Sequence, residues 1–141
     1  MGIQHEILDY PVRRSRLPLV SARVEAGFPS PAEDYIDCNL DLNEYLIRHP
    51  AATYFVRVSG NSMTEAGIQD GDLLIVDRAL QPTDGDVVIA VLFGEPTLKR
   101  IQKRGGKILL VADNGDYSPI EVGPEADFQI WGVCRHVIHS L

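Results

Sequence analysis

The chain has 141 residues, of which 45% are hydrophobic and 23% are charged. These values are ordinary for one globular domain with a buried core, and they exclude a globally disordered chain. The net charge of −7 has the wrong sign for stable direct binding to nucleic acid, because a phosphate backbone attracts basic proteins.

Membrane insertion is also disfavoured. The longest uncharged apolar run, Val87 to Phe93, has 7 residues, whereas a membrane helix needs roughly 18 to 20. The first ten residues include Glu6 and Asp9 and lack the apolar core of a secretory signal. We therefore expect a cytoplasmic protein.

Residues 1–30 are expected to form an extended N-terminal arm, and residues 31–141 one β-rich domain. No apolar period of 3.6 or 2 continues across the arm, and each proline there fixes φ and removes a hydrogen-bond donor. The alternative for the arm is a plain disordered tail. Four of the nine prolines fall in the first 31 residues: Pro11, Pro18, Pro29 and Pro31.

A short helix is predicted to begin after Asp41. Asp41 and Glu44 have the spacing of a capping box, and Pro50 marks the stop. Arg48 and His49 would then lie at the negative end of the helix dipole, which accounts for His49 without a catalytic role.

After Pro50 the sequence alternates between short apolar runs and turn residues, which is typical of an all-β barrel or sandwich. Glycine-containing turns separate the runs at positions 70–71, 84–85, 94–96, 105–106 and 114–115. The predicted strands are Thr53–Val58, Asp72–Asp77, Asp86–Phe93, Thr97–Gln102, Lys107–Ala112 and Phe128–Ile138.

One segment interrupts this pattern with small polar residues, from Val58 to Thr64. A strand that ends in a tight turn can expose a serine hydroxyl, and backbone N–H groups near Asn61 and Ser62 could stabilise an oxyanion. An ordinary Ser/Gly/Asn turn is the alternative.

A serine nucleophile needs a base, and the chain has only three lysines. Lys103 and Lys107 flank a hairpin turn and should point to water. Lys99 lies inside a predicted strand, where either Lys99 or Arg100 must face inward. Only lysine can lose its proton, which burial would favour, but Lys99 could instead extend to the surface while Arg100 pairs with an acid.

Other candidate sites are weaker. Cys134, His136 and His139 are all potential zinc ligands, but they do not share one strand face and no fourth ligand completes the set. A Cys38–Cys134 disulfide is not expected in a reducing compartment. His5 lies in the arm, away from any nucleophile. We therefore expect no metal and no cofactor.

From Gly27 onward the chain resembles the UmuD family. The resemblance rests on ordered blocks: GFPSPAEDYIDCNLDLNEYLIRHPAATYFVRVSGNSM, GIQDGDLLIVDRAL, GDVVIA and GEPTLKR. It implies a mainly β, LexA-like peptidase fold with one short N-terminal helix and an extended arm. It also implies a Ser-Lys dyad, with Ser62 as nucleophile and Lys99 as general base, that cuts the chain's own Ala26–Gly27 bond.

The resemblance further implies a homodimer, stimulation of cleavage by a RecA filament on single-stranded DNA, and a Y-family polymerase as partner of the shortened form. Only 26 residues precede the expected cleavage bond, and they contain no helix-turn-helix pattern of a DNA-reading repressor. Two alternatives remain: a non-enzymatic β module that regulates a polymerase by docking, and a general protease acting on other substrates.

Overall fold

The structure is a computed structural model that describes residues 16–20, 26–27 and 36–141. The chain divides into two units, Met1–Leu46 and Ile47–Leu141, which are described one at a time. The described residues are mainly β, as the sequence predicted. No helix among them is both long and apolar enough to cross a membrane.

The first unit contains a two-stranded antiparallel sheet. Strand β1 (Leu17–Val20) pairs with β2 (Ile36–Leu40), and a register shift falls between Leu19 and Val20. Sequence analysis predicted neither strand. Residues 1–15, His5 included, and residues 21–25 and 28–30 of the expected arm lie outside the described residues.

Helix α1 (Leu42–Leu46) begins where the sequence predicted. The Asp41 carboxylate accepts the Asn43 backbone N–H at 2.9 Å, and the Asp41 carbonyl accepts the Tyr45 N–H at 3.0 Å. The prediction that the helix continues to His49 was wrong, because α1 ends at Leu46.

The second unit is a seven-stranded antiparallel sheet in the order β3-β4-β9-β5-β6-β7-β8. All six predicted strands are present. Sequence analysis missed β8 and assigned the start of β6 to a turn. The strands are β3 (Thr53–Arg57), β4 (Leu73–Asp77), β5 (Val87–Leu92), β6 (Glu95–Arg104), β7 (Lys107–Val111), β8 (Ile120–Val122) and β9 (Phe128–Ile138).

Hydrophobic residues cover both faces of the sheet at β5. Ile89 packs in one cluster with Met63, whereas its neighbours Val88 and Ala90 pack in a second cluster with Leu110. A strand that is buried on both faces has no polar alternation, which explains the continuous apolar run in this part of the sequence.

The His49 side chain interacts with Asp77 and does not lie at the end of helix α1. Its Nδ1 lies 2.6 Å from Oδ2 of Asp77, the last residue of β4. Burial works to raise the pKa of Asp77, but hydrogen bonds from His49 and the Ala79 backbone N–H outweigh it and hold that pKa below its ordinary value. The helix-dipole interpretation of His49 is therefore corrected.

At Gly132, β9 packs tightly against β4. The register between β5 and β9 shifts near it, which leaves Trp131 as an extra residue in β9. A Cβ placed on Gly132 would lie 2.5 Å from Cγ1 of Val76 and 3.2 Å from the carbonyl oxygen of Asp77. The absence of a side chain at this position thus allows the two strands to pair.

We predict that Gly132→Ala lowers the free energy of unfolding by about 1–3 kcal/mol, because the added methyl group overlaps a buried neighbour. Gly123→Ala is the matched control, since no residue that the structure describes lies within 4 Å of a Cβ placed there. Urea denaturation measures both variants. Equal stability of the two variants would contradict the close-approach argument.

Candidate active site

The segment around Ser62 is anchored by the residue that follows it. Ser62 is half-buried in the loop after β3, and Met63 is only 1% exposed within the first hydrophobic cluster. The backbone at Met63 begins a short 3₁₀ turn, Thr64–Ala66. Burial of the methionine therefore holds the neighbouring serine in a fixed position relative to the sheet.

The other end of this loop is held by an aspartate. Gly60 has a φ of +94°, a left-handed conformation that glycine adopts without steric cost, and its N–H donates to Oδ1 of Asp70 at 2.8 Å. The Gly71 N–H donates to the carbonyl of Val58, and the Val58 N–H donates to the carbonyl of Asp72, both at 2.8 Å.

A turn distant in sequence contacts the same loop. We call residues Asp113 to Tyr117 the 113–117 turn. Nδ2 of Asn114 donates to the Asn61 carbonyl at 2.8 Å, and the Tyr117 hydroxyl lies 3.3 Å from Oδ1 of Asn61. The residue before Ser62 is thus held through both its backbone and its side chain.

The 113–117 turn also contacts the residues that follow Ser62. The Asp113 N–H donates to Sδ of Met63 at 3.3 Å, and the Asp113 carbonyl accepts the Glu65 N–H at 2.8 Å. The Glu65 carboxylate accepts the Gly115 N–H at 3.3 Å. The turn therefore spans the loop on both sides of the candidate nucleophile.

Lys99 lies in the middle of β6, opposite the fully buried Val88 of β5. Its Nζ is 5.7 Å from the ring centroid of Tyr117. Burial lowers the pKa of Lys99 below its usual range. Within the described part of the chain no carboxylate forms an ion pair with this amine.

The sequence did not decide which of Lys99 and Arg100 faces the interior. In the structure both residues are half-buried. Nε of Arg100 donates to both Asp113 oxygens at 2.9 and 3.0 Å, which also raises the arginine's pKa. Arg100 therefore pairs with an acid, while Lys99 is half-buried rather than fully exposed. Lys103 and Lys107 are exposed, as predicted.

Tyr117 of the 113–117 turn lies close both to Asn61, the residue before Ser62, and to the amine of Lys99. Tyr117 meets Asn61, the neighbour of Ser62, with its hydroxyl, and it meets Lys99 with its ring. The backbone N–H groups of Asn61 and Ser62 make no hydrogen bond to any other described residue. A hydroxyl, an amine with a lowered pKa and free N–H donors are the groups that acyl transfer requires.

Five residues of this neighbourhood were not predicted from the sequence: Glu65, Asp70, Asp113, Asn114 and Tyr117. Asp70 and Asn114 were noted only as members of turns. No local pattern could have joined the 113–117 turn to Asn61, since the two are more than 50 positions apart.

Ala26 and Gly27, the expected cleavage site, belong to the first unit. Both residues are exposed in a bend, and no described residue lies within 4 Å of a Cβ placed on Gly27. Ala26 carries only a methyl group and Gly27 has no side chain.

The cysteines and histidines considered for a disulfide or a metal site have other surroundings. Burial raises the pKa of the Cys134 thiol to about 12, and the thiols of Cys38 and Cys134 are both free. Nδ1 of His139 lies 2.6 Å from Oδ1 of Asp72. Where the structure describes the chain, it contains no group of three or more residues able to hold a metal ion.

Comparison with known proteins defines the class of enzyme. The chain belongs to the Peptidase S24-like family, whose model matches residues 18–135. This match and the relatives below confirm the family predicted from the sequence. Membership of this family identifies the chain as a peptidase homologue with the mainly β fold described above.

Particular relatives share about half of their residues with this chain. Protein ImpA of Salmonella typhimurium is 51% identical over 123 residues, covering 86% of this chain and 83% of ImpA. Protein SamA of S. typhimurium strain LT2 is 49% identical over 127 residues, covering 90% and 88%. Protein MucA of Escherichia coli is 44% identical over 121 residues, covering 85% and 82%.

We predict that Asp113→Ala lowers the free energy of unfolding by about 1–2 kcal/mol, because it leaves the half-buried Arg100 without its carboxylate. Glu121→Ala removes the exposed ion pair with Lys107 and serves as the control, with a change within about 0.5 kcal/mol. Urea denaturation of both variants checks this, and an equally small effect of Asp113→Ala would contradict it.

Proposed function

We propose that this chain is a self-cleaving serine peptidase that cuts its own Ala26–Gly27 bond, with Ser62 as nucleophile and Lys99 as general base. One observation carries the proposal: the 113–117 turn contacts Asn61 beside Ser62 and also lies against the Lys99 amine. Membership of a peptidase family supports it independently.

The lowered pKa of Lys99 supports its role as base. An exposed lysine has a pKa of about 10.4 and is almost entirely protonated at neutrality, so it cannot accept a proton. Burial of Lys99 disfavours the ammonium and increases the neutral fraction at any given pH. Lys103 and Lys107 are exposed and lack this environment.

In the first half of the reaction, neutral Lys99 removes the proton from the Ser62 hydroxyl as Oγ attacks the Ala26 carbonyl carbon. The N–H groups of Asn61 and Ser62 stabilise the oxyanion that forms. The tetrahedral intermediate collapses with loss of the Gly27 amine, which takes the proton from the Lys99 ammonium. An ester then joins Ala26 to Ser62.

In the second half, water attacks the ester carbonyl while Lys99 again accepts a proton. The carbonyl–Oγ bond breaks, the proton returns to Ser62, and residues 1–26 leave with a new carboxylate at Ala26. Residues 27–141 keep 17 of the 20 acidic side chains and 9 of the 13 basic ones, so the net charge changes only from −7 to −8. Cleavage would therefore act by exposing surfaces rather than by changing electrostatics.

The biological setting is part of the same proposal. We propose that the chain acts in the cytoplasm, as expected from its sequence, and that it takes part in mutagenesis after DNA damage, as the UmuD resemblance implies. There a RecA filament on single-stranded DNA would stimulate cleavage, and the shortened homodimer would assist a Y-family translesion polymerase.

We predict that the purified chain yields fragments 1–26 and 27–141, and that Ser62→Ala and Lys99→Ala abolish both. Ser59→Ala and Lys103→Ala are the matched controls, because each alters an exposed residue of the same type and should cleave at the wild-type rate. Intact-mass spectrometry measures the fragments. Equal cleavage in either dyad variant would disprove the assignment, and an intact wild-type chain would favour the docking module.

The cleavage rate should rise with pH as Lys99 loses its proton. Because the pKa of Lys99 is lowered, the midpoint of this rise should fall below the value of about 10.4 for an ordinary lysine. Single-turnover rates across a pH series measure the midpoint. A rate independent of pH, or a midpoint at or above the ordinary lysine value, would argue against Lys99 as the base.

A further inference from the structure

We infer that Tyr117 is a positioning residue that aligns the Lys99 amine with the loop of Ser62, with its ring serving the amine and its hydroxyl serving the loop. This inference rests on the proposed function. It states that one side chain, that of Tyr117, keeps the Lys99 amine and the Ser62 loop in register with each other.

The two contacts of Tyr117 are made by opposite parts of one rigid group. The ring lies 5.7 Å from Nζ of Lys99, and the hydroxyl lies 3.3 Å from Oδ1 of Asn61. A tyrosine has only two flexible side-chain torsions, so it holds such a spacing at little entropic cost. Movement of the ring would therefore displace the amine and the loop together.

The position of Tyr117 is set by its backbone rather than by core packing. Its N–H donates to the carbonyl of Asn114 at 3.2 Å, and Asn114 itself donates to Asn61. The tyrosine is 46% exposed and belongs to neither hydrophobic cluster. Its replacement should therefore change the site much more than it changes the stability of the fold.

The ring influences the Lys99 amine in two opposite ways. Its π face attracts an ammonium, but a distance of 5.7 Å is close to the outer limit of about 6 Å for that attraction. Its bulk excludes water, which disfavours the ammonium, and burial is what lowers the pKa of Lys99. We therefore expect the exclusion of water to be the larger effect.

Charged groups on the neighbouring elements have other partners or face solvent. The Asp113 carboxylate is bound by Arg100, and the Glu65 carboxylate accepts the Gly115 N–H. Asp116 is exposed. Removal of the Tyr117 ring should consequently act on Lys99 through hydration rather than through a new ion pair.

The first experiment measures the Lys99 amine directly, in the uncleavable Ser62→Ala background. The chain has only three lysines, so ¹³C-lysine labelling gives three NMR signals, which Lys103→Arg and Lys107→Arg assign. Adding Tyr117→Ala should raise the Lys99 titration midpoint by about half a unit or more, whereas Tyr117→Phe should leave it unchanged. An unchanged or lower midpoint in Tyr117→Ala would overturn the inference.

The second experiment measures self-cleavage in chains that retain Ser62. Tyr117→Phe should slow cleavage about fivefold at an unchanged pH midpoint, because only the bond to Asn61 is lost. Tyr117→Ala should slow it further and move the midpoint to higher pH. Phe93→Ala, which removes a 67% exposed aromatic outside the site, should cleave at the wild-type rate.

The two experiments separate failure of this inference from failure of the proposed function. A wild-type chain that never cleaves would disprove the function, while the NMR titration would still decide whether Tyr117 controls the amine. A chain that cleaves by Ser62 and Lys99, with a wild-type rate and midpoint in Tyr117→Ala, would disprove the role of Tyr117 alone.

Discussion

The ion pair between Arg100 and Asp113 joins the strand of Lys99 to the turn that contacts the Ser62 loop. A guanidinium binds a carboxylate in a fixed planar geometry, so the pair fixes orientation as well as distance. Lys99 and Arg100 are consecutive residues of β6, so the arginine holds the turn through Asp113 while the lysine before it lies near the ring of Tyr117 in the same turn. From the further inference above, partial removal of water from the Lys99 amine depends on the turn staying in this place.

Much of the fold could be predicted because alternation and turn chemistry are local properties. Six strands of the second unit follow from apolar runs between glycine turns, and the start of α1 follows from the capping position of Asp41. Ser62 was predicted from the position of one loop and Lys99 from a choice among three lysines, and the family resemblance implied both residues. The family is confirmed, while the roles of these two residues remain predictions.

The rest could not be predicted, because it depends on tertiary contacts. Strand β8 has only three residues, and its pairing with β7 rather than its own pattern defines it. Helix α1 ends at Leu46, before the proline that was expected to end it. The His49 side chain interacts instead with Asp77, which lies in a strand distant in sequence. Tyr117 was overlooked for the same reason, since nothing near it in the sequence indicates that it reaches both Lys99 and Asn61.

The sequence distance across the candidate site has a consequence for biosynthesis. Side-chain hydrogen bonds between the Ser62 loop and the 113–117 turn join residues 50 to 56 positions apart. Contacts of such long range form only after the intervening chain has been made and paired. In the proposed mechanism, a nascent chain that already contains residues 26 and 27 would therefore still lack an assembled Ser62–Lys99 site, and the order of folding would prevent premature self-cleavage.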